Sequence, residues 1–498
     1  MEPVTTRLSR ALVVLVLGLL ASITGRAEVP DDRPNILLIL ADDLSWSDLA
    51  CYGHPWHETP HLDKLAGEGM RLTSAYAPAP ICSPSRAAIL TGRTPARLGM
   101  EFVVKVQAGE QPLDPLPILR PPPFTTDLAL EEVSFAERLR ERGYDTAYFG
   151  KWHLNAHYND VYLGWSPTHG PLAQGFAVAE EDFGNHPYAG PLTPVDDEAR
   201  GWVPDGLTER AIAYLERGHR TPFLLMVSHF YVHTPVESRY PWLAAKYGGK
   251  IPPETPNRAE RITYAEFVEA MDHHIGELLL ALEANGQAES TLVVFLADNG
   301  GHPVYTDNRP LRGSKWNLYE GGIRVPMLVR WPGRIASGSV SDMPVSGTDL
   351  YPTFLALAGD TAQATFPPID GENILPEWLG EGQPQERTFY WHFPYYHPEN
   401  AAFGRAADNT GHAVGKVSRT RPHSAIRHGR HKLIWFHETD ETQLFDLLAD
   451  PTESLDLALA HPELRERLKT ALMRYLDEAE ARMAEPRSLQ AASSSPIP

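Results

Sequence analysis

Cysteine is almost absent: the 498 residues contain only Cys51 and Cys82. That scarcity excludes a disulfide framework and any zinc site built from paired cysteines. One bridge between the two thiols, or a chemical task for one of them, is all that remains. Cationic charge is also in the minority, with 44 Lys and Arg against 64 Asp and Glu and a formal net charge of −20. A field of that sign excludes nucleic acid and acidic membranes as partners held by overall charge. An anionic ligand must instead be drawn by a local cationic pocket. No repeat of solenoid length is present, and low complexity is confined to the Ser/Pro tail at 493–498. Long apolar runs are missing as well. The N-terminal stretch from Ala11 to Ala21 is too short to span a bilayer, follows Arg7 and Arg10, and leads to Gly25-Arg26-Ala27. This pattern predicts a cleaved export leader over residues 1–27, hence a periplasmic or secreted protein with no membrane contact after cleavage. Arg7, Arg10, Arg26 and Glu2 leave with it, which moves the net charge from −20 to −22.

What is present is a set of short apolar runs without alternation, the mark of strands buried on both faces of a parallel sheet. Asn35 to Leu40 ends at Asp42-Asp43. Thr146 to Phe149 runs into Gly150-Lys151-Trp152-His153. Phe223 to Val227 runs into His229 and His233-Thr234-Pro235, and Thr291 to Leu296 ends at Asp298-Asn299. Helical patterns lie between them: from Thr59-Pro60, over 135–142 after Ser134, over 207–217, over about 264–284, and near the end at 462–483. The expected fold class is therefore α/β, a large doubly wound, mixed but mostly parallel sheet flanked by helices. A smaller C-terminal α+β domain, a short antiparallel sheet plus helix, is expected to follow. The predicted division is 28–384 for the first, 385–485 for the second, and a disordered tail over 486–498.

In such sheets ligands collect beyond the carboxyl ends of the strands, and four strands here end in chemistry. Asp42, Asp43, Asp298 and Asn299 offer hard oxygen donors, which favour calcium or magnesium over zinc. Each pair alone reads as a turn or cap; two pairs, each directly after a buried strand, read as a metal site. Arg86, Lys151, His153, His233 and Lys315 fall at the same edge. Cys82-Ser83-Pro84-Ser85-Arg86 places a cysteine where a helix begins, with Ser83 as a candidate cap and Pro84 at the first helical position. Backbone N–H donors and the positive end of the helix dipole there suit an anionic ester. The proline-rich segment 100–126 is expected to be a loop near the site. Arg405, Lys416, Arg419 and Arg421 form a basic stretch that reads as another loop, while Arg427 to Lys432 reads as a solvated strand.

With these residues in view the chain resembles the formylglycine-dependent type I sulfatases of the alkaline phosphatase superfamily. The resemblance is carried by Asp42-Asp43, Thr59-Pro60-His61-Leu62-Asp63, Cys82 to Arg86 with Leu90-Thr91-Gly92-Arg93, and Gly150-Lys151-Trp152-His153-Leu154. It continues through His233-Thr234-Pro235, Ala297-Asp298-Asn299-Gly300, Lys315, Tyr319 to Pro326, Leu444 to Leu447 and Asp450-Pro451-Thr452-Glu453. It implies oxidation of Cys82 by a formylglycine-generating maturation enzyme to 3-oxoalanine, whose hydrate attacks sulfur and later expels sulfate. It implies one Ca2+ held by Asp42, Asp43, Asp298, Asn299 and the modified Cys82, with Asp298 as base. Arg86 anchors the formylglycine, Lys151 and Lys315 hold sulfate oxygens, His153 handles the diol proton, and His233 protonates the leaving alcohol. The expected substrate is a sulfated carbohydrate, with Arg405, Arg419 and Arg421 expected to contact it. Two other activities fit the same residues: a formylglycine-dependent phosphodiesterase or phosphonate hydrolase, and an unmatured sugar-sulfate binding protein.

Overall fold

A computed structural model of the chain describes residues 32–113, 117–161, 163–180, 201–234, 236–360, 368–382, 385–397 and 420–487. The expected leader, Arg405, Arg419 and most of the expected tail lie outside these residues.

Nine strands build the main sheet: β1 (Asn35–Ala41), β2 (Met70–Tyr76), β3 (Asp145–Gly150), β4 (Val178–Glu180), β5 (Phe223–Ser228), β6 (Thr291–Ala297), β7 (Arg324–Arg330), β8 (Ser339–Ser341) and β9 (Val345–Ser346). Their spatial order is β9-β2-β7-β6-β1-β5-β3-β4, with β8 also on β2. The four strands read from unalternating apolar runs are the contiguous parallel centre, where Leu38 of β1 lies between Met226 and Val294. β7 runs antiparallel to both β6 and β2, so the sheet is mixed but mostly parallel. Sequence patterning missed β2 because polar, partly exposed Arg71 and Thr73 interrupt its apolar positions.

Alternation of Cβ direction along each strand sends neighbours to opposite faces. Leu37, Ile39 and Ala41 join one core and Ile36, Leu38 and Leu40 the other. The first face is covered by α1 (Pro60–Glu68), α4 (Gly206–Leu215) and the long α5 (Arg258–Ala284), whose Phe267, Met271, Ile275, Leu278 and Leu282 form the expected apolar stripe. The second is covered by α2 (Cys82–Thr91), α3 (Phe135–Glu141) and α6 (Leu350–Leu357). Helix α3 starts where Ser134 places it: Ser134 Oγ accepts from the Glu137 N–H at 3.1 Å while Glu137 accepts from the Ser134 N–H at 2.7 Å. Helix α5 begins six residues earlier than its apolar pattern, its polar first turn held by Arg258 donating to the Ile251 carbonyl at 3.0 Å.

A four-stranded antiparallel sheet follows: β10 (Thr388–Phe393), β11 (His423–His428), β12 (His431–Phe436) and β13 (Thr442–Asp446). One face buries Phe389, Trp391, Phe393 and Phe445 against Tyr76, Ile81 and Leu318. The other buries Ile426, Leu433 and Leu444 under α7 (Pro462–Glu478). The aromatic run at 391–395 is thus packing. From Pro34 on, the described residues form one compact unit. Pro486 and Arg487, assigned by sequence to the disordered tail, are ordered: Glu485 and Pro486 pair with Arg120 and Leu119, and the Arg487 N–H reaches the Ile118 carbonyl at 2.9 Å. Among the described residues no helix is long and apolar enough to cross a membrane.

Candidate active site

Helix α2 begins at Cys82 itself, with Ile81 as an extended N-cap and no side-chain cap. Ser83 is not the cap expected from sequence; its Oγ accepts from the Val104 N–H at 3.2 Å. Pro84 sits in the third helical position, where its missing N–H is still one the helix does not need. All ten residues of the helix are buried. Both cysteines are free, and Cys51 is only half-buried. The Cys82 Sγ lies 3.4 Å from Asp42 Oδ1 and 3.8 Å from Asp43 Oδ1. Burial first, then the Asp42 charge, raise its pKa and keep it a thiol.

In-register pairing of β1 with β6 sets Ala41 beside Ala297, so Asp42-Asp43 and Asp298-Asn299 leave the sheet side by side. The Asp298 N–H donates to the Ala41 carbonyl at 3.0 Å, and the Asp43 N–H donates to Asp298 Oδ1 at 3.2 Å. Asp43 and His153 both hold left-handed backbone, with φ of 60° and 57°. Such strain in a non-glycine residue persists only where its surroundings impose it, and functional sites are where it gathers.

The cations converge on these carboxylates. Arg86, one turn into α2, donates from Nε to Asp298 Oδ2 at 2.8 Å and from Nη1 to the Lys151 carbonyl at 2.7 Å and to Ser228 Oγ. Lys151, just past β3, donates to Asp42 Oδ2. Lys315 lies 2.6 Å from the Asp43 carboxylate. His233 lies 2.6 Å from the Thr234 carbonyl through Nδ1, which assigns the proton to that nitrogen, and presents Nε2 3.8 Å from Asp43. Apart from His233, the three carboxylates and three cations of this cluster are at most 5 % exposed.

Three carboxylates facing three cations titrate very differently. For Asp42, burial raises the pKa but is outweighed by Lys151, His233, Arg86 and Lys315, and the carboxyl falls well below its usual range. For Asp43, burial is again outweighed, here chiefly by Lys315, and the pKa is lowered. Asp298 is pushed up to about 7 by burial and then by Asp42, against the pull of Arg86. Burial and the Lys151 charge bring His233 down to about 3 and His153 well below its ordinary value.

The donor chemistry fits a hard divalent cation. Asn299 Nδ2 donates to Asp43 Oδ1 at 2.8 Å and to the Gly300 carbonyl at 2.9 Å, whereas its Oδ1 is buried with no hydrogen-bond donor. An amide oxygen left so is costly unless something cationic meets it. Asp42, Asp43, Cys82 and His233 present ligand atoms all within 4.8 Å of one another. Asp298 lies beside this set, its oxygens turned to Arg86 and to the Asp43 amide.

Glycines lock the loop that delivers Lys315. The Gly300 N–H donates to the Gly322 carbonyl at 3.0 Å, and a Cβ on Gly300 would stand 2.1 Å from the Gly321 carbonyl oxygen. Behind that loop is a charge cluster that sequence reasoning assigned to solvent. Lys432 is fully buried, 2.9 Å from both Glu320 Oε1 and Glu453 Oε1, and Glu453 Oε2 accepts from the Glu320 N–H at 2.7 Å. Arg427 is buried as well, donating to the Tyr76 hydroxyl. Of the three arginines expected to meet substrate, only Arg421 is described; just before β11, it lies over the Phe436 ring and 4.0 Å from Glu438.

The family model described as Sulfatase matches residues 34–360, from β1 through the loop after α6. The chain belongs to the sulfatase family. A second model, N-sulphoglucosamine sulphohydrolase, C-terminal, matches residues 314–481 of this sulfatase. Human arylsulfatase A is 34% identical to it, over 88% of this chain and 86% of that protein. The N-acetylgalactosamine-6-sulfatase of Canis lupus familiaris is 34% identical, over 76% of this chain and 72% of its own length. Among solved structures, Ps i-CgsB in complex with k-i-k-neocarrahexaose superposes with a TM-score of 0.68 at 26% identity, covering 89% of this chain and 93% of that one. The sulfatase is thus a sulfuric ester hydrolase.

Proposed function

We propose that this sulfatase hydrolyses sulfate monoesters of carbohydrates, using Cys82 converted to formylglycine and a calcium ion held by Asp42, Asp43, Asp298, Asn299 and the modified residue. The observation that carries the reading is the seat of Cys82 Sγ, within 3.4 and 3.8 Å of the Asp42 and Asp43 carboxylates, whose other oxygens hold Lys151 and Lys315. The hydrated aldehyde supplies an oxygen nucleophile and a second hydroxyl that lets sulfate depart, and the cation supplies charge to sulfate oxygens.

The chain's own residues do the rest. Lys151 and Lys315, point charges at two sides of the cluster, hold two sulfate oxygens. Arg86, fixed on Asp298, Lys151 and Ser228, keeps the head of α2 in place. His233, oriented by Thr234, presents Nε2 toward the alcohol that leaves; the arriving sulfate charge favours its protonated form. His153 accepts the proton released as sulfate departs, and Asp298, its pKa already raised by burial and by Asp42, serves as base. Because Cys82 and all of α2 are buried, a maturation enzyme must reach the cysteine before the fold closes. The sugar assignment draws support from relatives named for sulfated sugars and from the neocarrahexaose complex.

Peptide mass spectrometry of active enzyme tests the first half, with loss of sulfur at Cys82 expected. Sulfate release from a panel of sulfated mono- and oligosaccharides tests the second. Full activity with unmodified Cys82, or turnover of phosphodiesters without sulfate release, would overturn the reading.

A further inference from the structure

Lys105 differs from every cation discussed so far. It is half-buried on the segment that follows Met100, and no carboxylate lies within ion-pair distance of it among the described residues. Its ammonium stands 5.5 Å from the centre of the Phe102 ring and 5.9 Å from that of Phe124. Burial alone lowers its pKa, with no acidic neighbour to offset it. In a chain of net charge −20, a desolvated ammonium with no acid beside it is an unmet electrostatic demand.

Its position ties that demand to the active site. The Val104 N–H donates to Ser83 Oγ, which places Lys105 one residue from a contact with the neighbour of Cys82. The Lys105 charge also reaches His157, whose pKa is lowered first by burial and then by Lys105. The His157 ring lies 6.5 Å from that of His153. The segment is held in place: the Phe124 N–H reaches the Gly109 carbonyl at 2.9 Å, and Gln111 exchanges hydrogen bonds with the Tyr396 backbone at 2.6 and 3.2 Å.

We propose that Lys105 is a second anion-binding position beside the sulfate pocket, so that the preferred substrate carries another anionic group, a second sulfate or a carboxylate, next to the scissile sulfate ester. This rests on the sulfatase reading above. Lys151 and Lys315 take the reacting sulfate, and Lys105 takes the neighbouring group, which fixes the sugar's orientation. A charge-assisted bond of this kind is worth roughly ten- to a hundredfold in binding.

The experiment compares matured wild type with Lys105→Met and Lys105→Arg. The substrates are monosulfated sugars, their disulfated counterparts, and sulfated disaccharides containing a uronate. Lys105→Met keeps the apolar stem over Phe102 and Phe124 and removes the charge. Wild type is expected to favour the doubly anionic substrates in kcat/KM. Lys105→Met should raise KM for those substrates about tenfold or more, with a smaller change in kcat, and Lys105→Arg should restore most of the preference. The uronate and disulfated arms separate carboxylate from sulfate as the recognised group. Equal kcat/KM for singly and doubly anionic substrates in wild type would overturn the inference, as would a preference that survives Lys105→Met. Absence of sulfate release from every substrate would instead overturn the sulfatase reading.

Discussion

Replacing Lys432 by methionine removes the charge that bridges two buried carboxylates, leaving Glu320 with Arg324 at 3.6 Å and Glu453 with no lysine. Glu320 and Glu453 each lie 2.9 Å from its ammonium, and all three side chains are fully buried. Methionine fills most of the space, so the loss is electrostatic rather than a cavity. Removing one member of such a group leaves uncompensated buried charge, at a cost of about 3–5 kcal/mol. At about 2 °C per kcal/mol for a large domain, the midpoint should fall on the order of 6–10 °C. The pH dependence has a definite sign. Burial, in spite of Lys432, already raises Glu453 to about 7. Without the lysine its folded pKa rises further, while in the unfolded chain it stays near the ordinary value. The folded variant therefore takes up a proton as pH falls, and its deficit against wild type should be smaller at pH 6 than at pH 8. Differential scanning fluorimetry at one scan rate and several pH values measures this. Lys432→Met with Glu320→Gln should regain part of the loss, because only one carboxylate then remains. A single variant that melts within a degree of wild type at pH 8 would refute the reasoning.

Cys82→Ala should abolish sulfate release with a melting shift of no more than about 1–2 kcal/mol equivalent, since one buried sulfur is removed; retained turnover would remove Cys82 from the chemistry. Asp42→Ala and Asp298→Ala should each eliminate activity, and exhaustive chelation should lower it with recovery on adding calcium; full turnover of stripped enzyme would refute the ligand assignment. His392 is buried, with Nδ1 2.7 Å from Ser424 Oγ and Nε2 3.1 Å from the Arg482 carbonyl, and burial lowers its pKa to about 4. Its folded pKa lies below its unfolded value, so its stabilisation is complete above about pH 6.5 and is lost on the way down to about 4. His392→Gln should thus cost stability at pH 7.5, and the gap to wild type should narrow by about 2 kcal/mol at pH 5; a gap independent of pH refutes a neutral buried imidazole.

The centre of the fold was legible because buried parallel strands write themselves as apolar runs, and each run here stops at a residue with chemistry. Asp42, Asp298, Lys151 and His233 share an edge for that reason, and the structure brings them together with Cys82 and Arg86. Strand β2 escaped because its pattern is mixed, and the antiparallel β7 because it follows a glycine pair that reads as loop. Lys432 escaped for a different reason. A lysine near an arginine and a glycine reads as surface, and Glu320, which neutralises it, lies 112 residues away in sequence. Long-range charge pairing leaves no local periodicity. Lys105 was hidden for another reason: it lies inside a segment recognised only as a proline-rich loop.

The glycine contacts around Gly300 and Gly322 bear on how such an enzyme can be diversified. A Cβ at Gly300 would meet the Gly321 carbonyl at 2.1 Å, and one at Gly322 would meet the Asn317 carbonyl at 2.0 Å. Backbone against backbone leaves no side chain to yield, so these positions accept no stepwise change. Lys315 is therefore carried on a part of the chain that mutation can break but not tune. New selectivity must come from segments where side chains make more of the contacts, and the stretch from Met100 to Gln111, anchored in part by the Glu101 and Gln111 side chains, is one of them. A library that randomises that stretch and spares residues 300–322 should keep the sulfate chemistry while changing which sugar it reaches.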